Sequence, residues 1–163
     1  MAGVHRLWSH RAYKVNTPLK LFLVFFNTMA FQKSIIRWAR YHRVHHKFVD
    51  TNADPYNANR GFFFSHIGWL LCKKHPAVFE AGKRIDVSDL MGDRILRLQH
   101  KHYFLFMPLL CFALPTLLPA YLWGESLYNG WLVAGCLRFI LFLHATFCIN
   151  SVAHIYGYKP YDK

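Results

Sequence analysis

Apolar positions gather into two long runs in the second half of the chain. Residues 104-123, FLFMPLLCFALPTLLPAYLW, carry no charged side chain over twenty positions. That is enough for a helix to cross the hydrocarbon core of a bilayer. Pro108, Pro115 and Pro119 predict kinks, which a membrane helix tolerates where neighbours re-satisfy the freed backbone groups. Residues 128-149, YNGWLVAGCLRFILFLHATFCI, predict a second span. It contains Arg138 and His144, and ionisable groups at that depth usually face protein or a cavity. The link GESL (124-127) is short and lacks Lys and Arg, so the two runs predict a hairpin. Its basic flanks, 33-102 and 159-163, then lie on the cytosolic side, with Trp123 and Trp131 at the interface of the tip.

The first half of the chain is more mixed. Residues 19-31, LKLFLVFFNTMAF, are apolar but short, which predicts a buried or interfacial helix rather than a full span. A basic turn follows, with Lys33, Arg37 and Arg40 spaced to share one helical face. Residues 48-65 read as a Pro/Asn/Gly loop leading into GFFFSHIGWLL. Residues 86-103 predict one amphipathic helix with Asp86 as N-cap and Asp89 at the third helical position, feeding the first span.

Composition sharpens this picture. The 163 residues suit one domain, and 54% hydrophobic with 18% aromatic content is too apolar for a disordered chain. Twenty Lys and Arg against eight Asp and Glu leave a formal charge of +12, which calls for an anionic partner: nucleic acid, a lipid surface or a phosphorylated substrate. Nucleic acid is the weakest of these, since no recognition motif occurs and the apolar runs need lipid. Cys72, Cys111, Cys136 and Cys148 are scattered, without a CxxC pair or a disulfide framework, and read as reduced thiols. The N-terminus opens directly into histidines, with no cleavable signal peptide in view.

Candidate chemistry lies in those histidines. His5 and His10 form one group, His42, His45 and His46 a second, and Asn150 with His154 a third where the second span ends. On a helix His42, His45 and His46 lie near one face, with about 100° between the last two, so they can point to two metals. His5 and His10 are about 140° apart on a regular helix, so both reach one site only if the helix ends or distorts between them. Asn150 and His154 share a face. Imidazole suits iron, zinc and copper alike. One zinc typically needs four ligands and often mixes in cysteine or carboxylate; six or more histidines without a local carboxylate fit two metals better. His66, His75, His100, His102 and His144 stand alone and read as packing or surface residues.

The stretches AGVHRLWSHRAYK (2-14), FQKSIIRWARYHRVHHKF (31-48), TNADPYNANRGFFFSHIGWLL (51-71), KKHP (73-76), LMGDR (90-94), LCFALPT (110-116) and NSVAHIYGYKPYDK (150-163) closely resemble animal stearoyl-CoA-type acyl-CoA desaturases, the insect enzymes included. The resemblance covers essentially the whole chain. It implies an all-α membrane protein of the endoplasmic reticulum, mushroom-shaped, with four spanning helices and a cytosolic cap around a two-iron centre. It implies His5, His10, His42, His45, His46 and His154 as iron ligands, with Asn150 holding a metal through water. It further implies electrons delivered from NADH through cytochrome b5 and its reductase, and the removal of two hydrogens from a saturated fatty acyl-CoA, commonly at carbons nine and ten. Gln32, Trp38 and Thr146 match positions around the bend of the acyl tunnel, Phe147 a position near the substrate, and Arg40, Lys73 and Lys74 positions that hold the CoA head. Regiochemistry in such a tunnel comes from positioning one acyl carbon, and Lys and Arg suit the phosphates.

The chain also departs from that pattern. A third His-x-x-His-His group and two spanning helices before His5 are expected and absent. Residues 1-163 therefore read as a single desaturase domain truncated at both ends. Met1 stands where the family usually has Thr, Tyr41 replaces a usual Asp that contacts CoA, Phe147 a usual Trp and Tyr56 a usual His. The chain as written is expected to lack a complete centre and not to turn over. A membrane di-iron hydroxylase is a neighbouring enzyme reading. A non-catalytic membrane protein that binds acyl-CoA, or that associates with full-length desaturase, is the alternative from another class.

Overall fold

A computed structural model of the chain describes Met1–Gly157. Those residues are helical and contain no strand. A π-helical segment, Ala2–Ser9, opens the chain. It is followed by α1 (Thr17–Met29), α2 (Ile35–Phe48), α3 (Pro76–Lys83), α4 (Ser88–Gly92) and α5 (Arg94–Lys101). Two long apolar helices come last, Tyr103–Trp123 and Leu127–Ile155. The residues group into two compact units, one of Met1–Arg43 with Asp86–Leu143, the other of Val44–Ile85 with the chain from His144 on.

In the first unit the predicted hairpin forms. Only 28% and 11% of the most apolar windows of its two helices are buried, so these are not core helices of a soluble protein. Length, composition and this exposure make the chain a membrane protein. Gly124 closes the first helix in the left-handed conformation (φ 72°), and the Ser126 hydroxyl caps the second by accepting from the Asn129 amide. The helices approach closely at Gly130, where an added Cβ would lie 2.6 Å from the Thr116 carbonyl oxygen. Pro115 has no N–H for the Cys111 carbonyl, four residues back. Arg138 takes that role: its guanidinium donates to the Cys111 carbonyl at 2.5 Å and to the Ala134 carbonyl at 2.7 Å. The arginine inside the span thus partners backbone exposed by a proline.

The N-terminal elements of this unit are tied by polar contacts. The Gln99 side chain on α5 donates to Thr28 on α1 and accepts from the Ile35 amide at the start of α2. Lys20 pairs with Asp93 at 2.6 Å. Ile35, Ile36, Ala39 and Leu96 are buried, and each large apolar side chain among them contributes about 2 kcal/mol. The apolar segment expected over 19-31 is α1, with Leu21, Phe22 and Phe26 exposed, so it is not a buried helix.

Two expectations are corrected. Lys33 does not share a helical face with Arg37 and Arg40, because it precedes α2 with φ 74°. Residues 86-103 are not one continuous helix, because Asp93 breaks the run. Its backbone is extended (ψ 118°), and its carboxylate caps α5 by accepting from the Ile95 and Leu96 amides. Asp89 is consequently not a capping residue and faces two arginines instead. The basic flank 159-163 lies outside the described residues.

In the second unit, turns from residue 49 lead through Ala58–Arg60 into a π-helical Phe64–Gly68. The Asp54 carboxylate organises the turns, accepting from the amides of Asp50 and Tyr56. An aromatic cluster holds this unit together: Tyr56 packs on Trp69 and Trp69 on Phe147, with ring centres 4.7 and 5.7 Å apart.

Candidate metal centre

The distortion that His5 and His10 require is the π-helix itself. Its bonds run from residue i+5 back to i, as from the His10 amide to the His5 carbonyl (3.1 Å) and from Arg6 to Met1 (3.2 Å). Residues five apart then stand one above the other. The His5 and His10 ring centres are 4.6 Å apart, and His42 on α2 joins them at 4.6 and 5.1 Å. One ring nitrogen from each of these histidines lies within 4.8 Å of the others, and His10 and His42 meet Nε2 to Nε2 at 3.0 Å. Trp38, one turn before His42, stacks on its ring at 4.7 Å and meets His5 edge-on. Burial, and after it the neighbouring His10, pushes the His5 pKa down, which favours the neutral imidazole that a metal binds.

In the second unit His45 is buried, and its Nδ1–H donates to the Asp54 carboxylate at 2.9 Å. A carboxylate on Nδ1 is the arrangement that orients a metal-ligating imidazole and leaves Nε2 as the nitrogen a metal would take. The His154 ring centre lies 5.1 Å from His45 and that of His46 5.5 Å. His46 follows His42 by one turn of α2. Asn150 ends the regular helix one turn before His154, with Ser151 fully buried between them. The expectation of histidines without a carboxylate nearby is therefore corrected. Sequence reasoning missed Asp54, although NADP so soon after His45 was the available signal. It also missed Arg43, whose guanidinium donates to the carbonyls of Trp8 and Ser9.

The other candidate residues fall in several places. Gln32 lines a cavity of about 390 Å³ in the first unit, with Asn27, Arg138 and Phe142. Arg40 is exposed on α2. Lys73 and Lys74 line a cavity of about 530 Å³ in the second unit, with Asn52, Asn57 and Arg60. Thr146 is half-buried, and Phe147 is buried in the aromatic cluster. Of the lone histidines, His75 caps α3 through Nδ1 and His100 bonds Ser34 at 2.6 Å. His66 and His144 bond each other at 2.9 Å.

The fatty acid desaturase family profile matches residues 1–163. The chain belongs to that family. It is 56% identical to stearoyl-CoA desaturase 5 of Bos taurus, over 99% of this chain and 48% of the relative. The acyl-CoA Delta12-desaturase of Acheta domesticus is 58% identical over 99% of this chain and 45% of the relative. The Delta(9)-fatty-acid desaturase fat-7 of Caenorhabditis elegans is 55% identical over 99% of this chain and 48% of the relative. The chain thus spans about half the length of the curated relatives it matches. Desaturases of this family are oxidoreductases of lipid metabolism and generally depend on iron. Three converging imidazoles suit iron as donors, so the residues of this chain fit the metal that the family uses.

Proposed function

We propose that this chain carries metal-binding and substrate-binding parts of an acyl-CoA desaturase that inserts a cis double bond, at carbon nine, into a saturated fatty acyl-CoA. The observation that carries the proposal is the convergence of His5, His10 and His42 through a π-helical turn. In this reading His5, His10, His42, His45, His46 and His154 hold two irons, with Asn150 acting through water. Bound iron supplies the oxygen-activating redox chemistry. The side chains around it hold and orient: Asp54 fixes the His45 tautomer, and Trp38 packs the His42 ring in place. Gln32, Trp38 and Thr146 position the acyl chain beside the metals. Arg40, Lys73 and Lys74 take the phosphates of CoA, and the 530 Å³ cavity beside Lys73 and Lys74, with Arg60 in its wall, supports an anionic occupant. Electrons come from NADH through cytochrome b5 and its reductase, and the site faces the cytosol from the endoplasmic reticulum membrane. The relatives carry both delta-9 and delta-12 names at similar identity, and carbon nine is taken from the resemblance to the stearoyl-CoA-type enzymes.

Iron analysis tests this reading. About two irons per chain are expected after anaerobic loading, falling in His5→Ala, His42→Ala and His45→Ala. Incubation of a full-length desaturase that includes this segment with stearoyl-CoA and the electron-transfer partners separates alkene from hydroxy acid. A chain that binds acyl-CoA through Lys73 and Lys74 yet holds no iron tightly would instead support the non-catalytic membrane protein, for which the same basic cavity is sufficient.

A further inference from the structure

Arg43 follows His42 directly, and its guanidinium reaches four groups in the first unit. It donates to the carbonyls of Trp8 (2.7 Å) and Ser9 (3.2 Å), which end the π-helical segment, and to the Asp86 carbonyl at 2.7 Å. Both terminal nitrogens also meet the two Asp89 oxygens, at 3.0 and 2.8 Å. The carbonyls that close a helix have no partner within it, so Arg43 caps the segment from outside. Asp89 in turn holds Arg11, just beyond the segment, at 2.9 Å. Arg11–Asp89 alone is an exposed pair and worth little. Arg43 differs: its side chain is only 13% exposed, and a planar fork aimed at a carboxylate and carbonyls has a set geometry. The hydrogen bond from Arg43 holds the Asp89 carboxyl well below the ordinary aspartate range, so this partner stays charged.

We propose that Arg43 and Asp89 form a clasp that positions His5 and His10 over His42, with Arg43 a positioning residue for the metal site. His42 supplies one imidazole from α2, and the next residue fastens the segment that brings the other two. A segment of eight residues is too short to persist as an isolated helix, so its register against α2 needs an outside tie. The metal half of this inference rests on the reading given above; the clasp itself rests on the contacts alone.

The test uses the full chain in lipid nanodiscs, with amide hydrogen exchange and with Co2+ as the metal probe. Arg43→Gln is expected to speed exchange of amides 5-12 at least about tenfold while those of α2 keep their protection. It is also expected to weaken Co2+ binding about tenfold and to lower the imidazole count at cobalt by X-ray absorption. Loss of a merely structural contact would lower overall protection without changing the imidazole count. Unchanged exchange in residues 5-12 would overturn the clasp. Should Arg43→Gln fail to fold, Asp89→Asn decides the matter, with the same direction expected at about threefold and no change overturning it. A wild-type chain that binds no Co2+ would remove the metal reading, and the exchange result would still decide the clasp.

Discussion

An imidazole binds a metal through one nitrogen, and what the other nitrogen does decides whether that lone pair is presented. Asp54 performs this for His45 while also accepting from two backbone amides. Its replacement therefore has two consequences. Asp54→Asn should cost tenfold to a hundredfold in metal affinity, about the range for outer-shell partners, read by competition against a chelator. Asp54→Ala should in addition cost about 3 kcal/mol of stability, because the buried amides and His45 lose their acceptor, read by denaturant titration of the metal-free protein. Trp38 acts on His42 by packing, so Trp38→Leu should leave the fold intact yet loosen the ring, raising the exposure of His42 to carbethoxylation.

Helical geometry matters as much as side-chain identity. A regular helix separates His5 from His10, whereas π-helical bonding stacks them, and the clasp at Arg43 holds that geometry. Burial pushes the Asp93 carboxyl up, but hydrogen bonds from Lys20 and from the Ile95 and Leu96 amides outweigh it, leaving its pKa lowered. The Asp89 pKa is lowered as well. For a carboxyl whose folded pKa lies below its unfolded one, the stabilisation is full above the unfolded value and is lost as pH falls toward the folded value. Exchange protection of amides 5-12 and of α5 should hold down to about pH 3.8, the ordinary aspartate value, and decline below it. In the hairpin, Gly130→Ala puts a methyl 2.6 Å from a backbone oxygen and should cost about 2 kcal/mol of helix association, read by unfolding in mixed micelles. Arg138→Met keeps the stem but leaves the Cys111 carbonyl without its donor, and a cost of about 1–3 kcal/mol is expected.

The two long apolar helices and the family match make this chain a membrane member of the fatty acid desaturase family, and the hairpin gives that statement a testable orientation. In a variant lacking the native cysteines, Lys101→Cys should react with an impermeant maleimide from the cytosolic side, and Ser126→Cys at the tip only from the opposite side. The two long apolar helices, the short link, the helix over 19-31 and the histidine groups were legible in the chain because each is a matter of local periodicity, length or residue type. The break at Asp93, the partner of Arg138, the carboxylate behind His45 and the clasp at Arg43 were not. Each joins residues far apart in sequence or depends on which backbone groups lose their helical partners, and no spacing rule records that. Hydrophobic length and histidine content therefore follow from composition along the chain. The meeting of His5, His10 and His42 was decided only in three dimensions, because it requires π-helical winding in one segment and a fixed register against another.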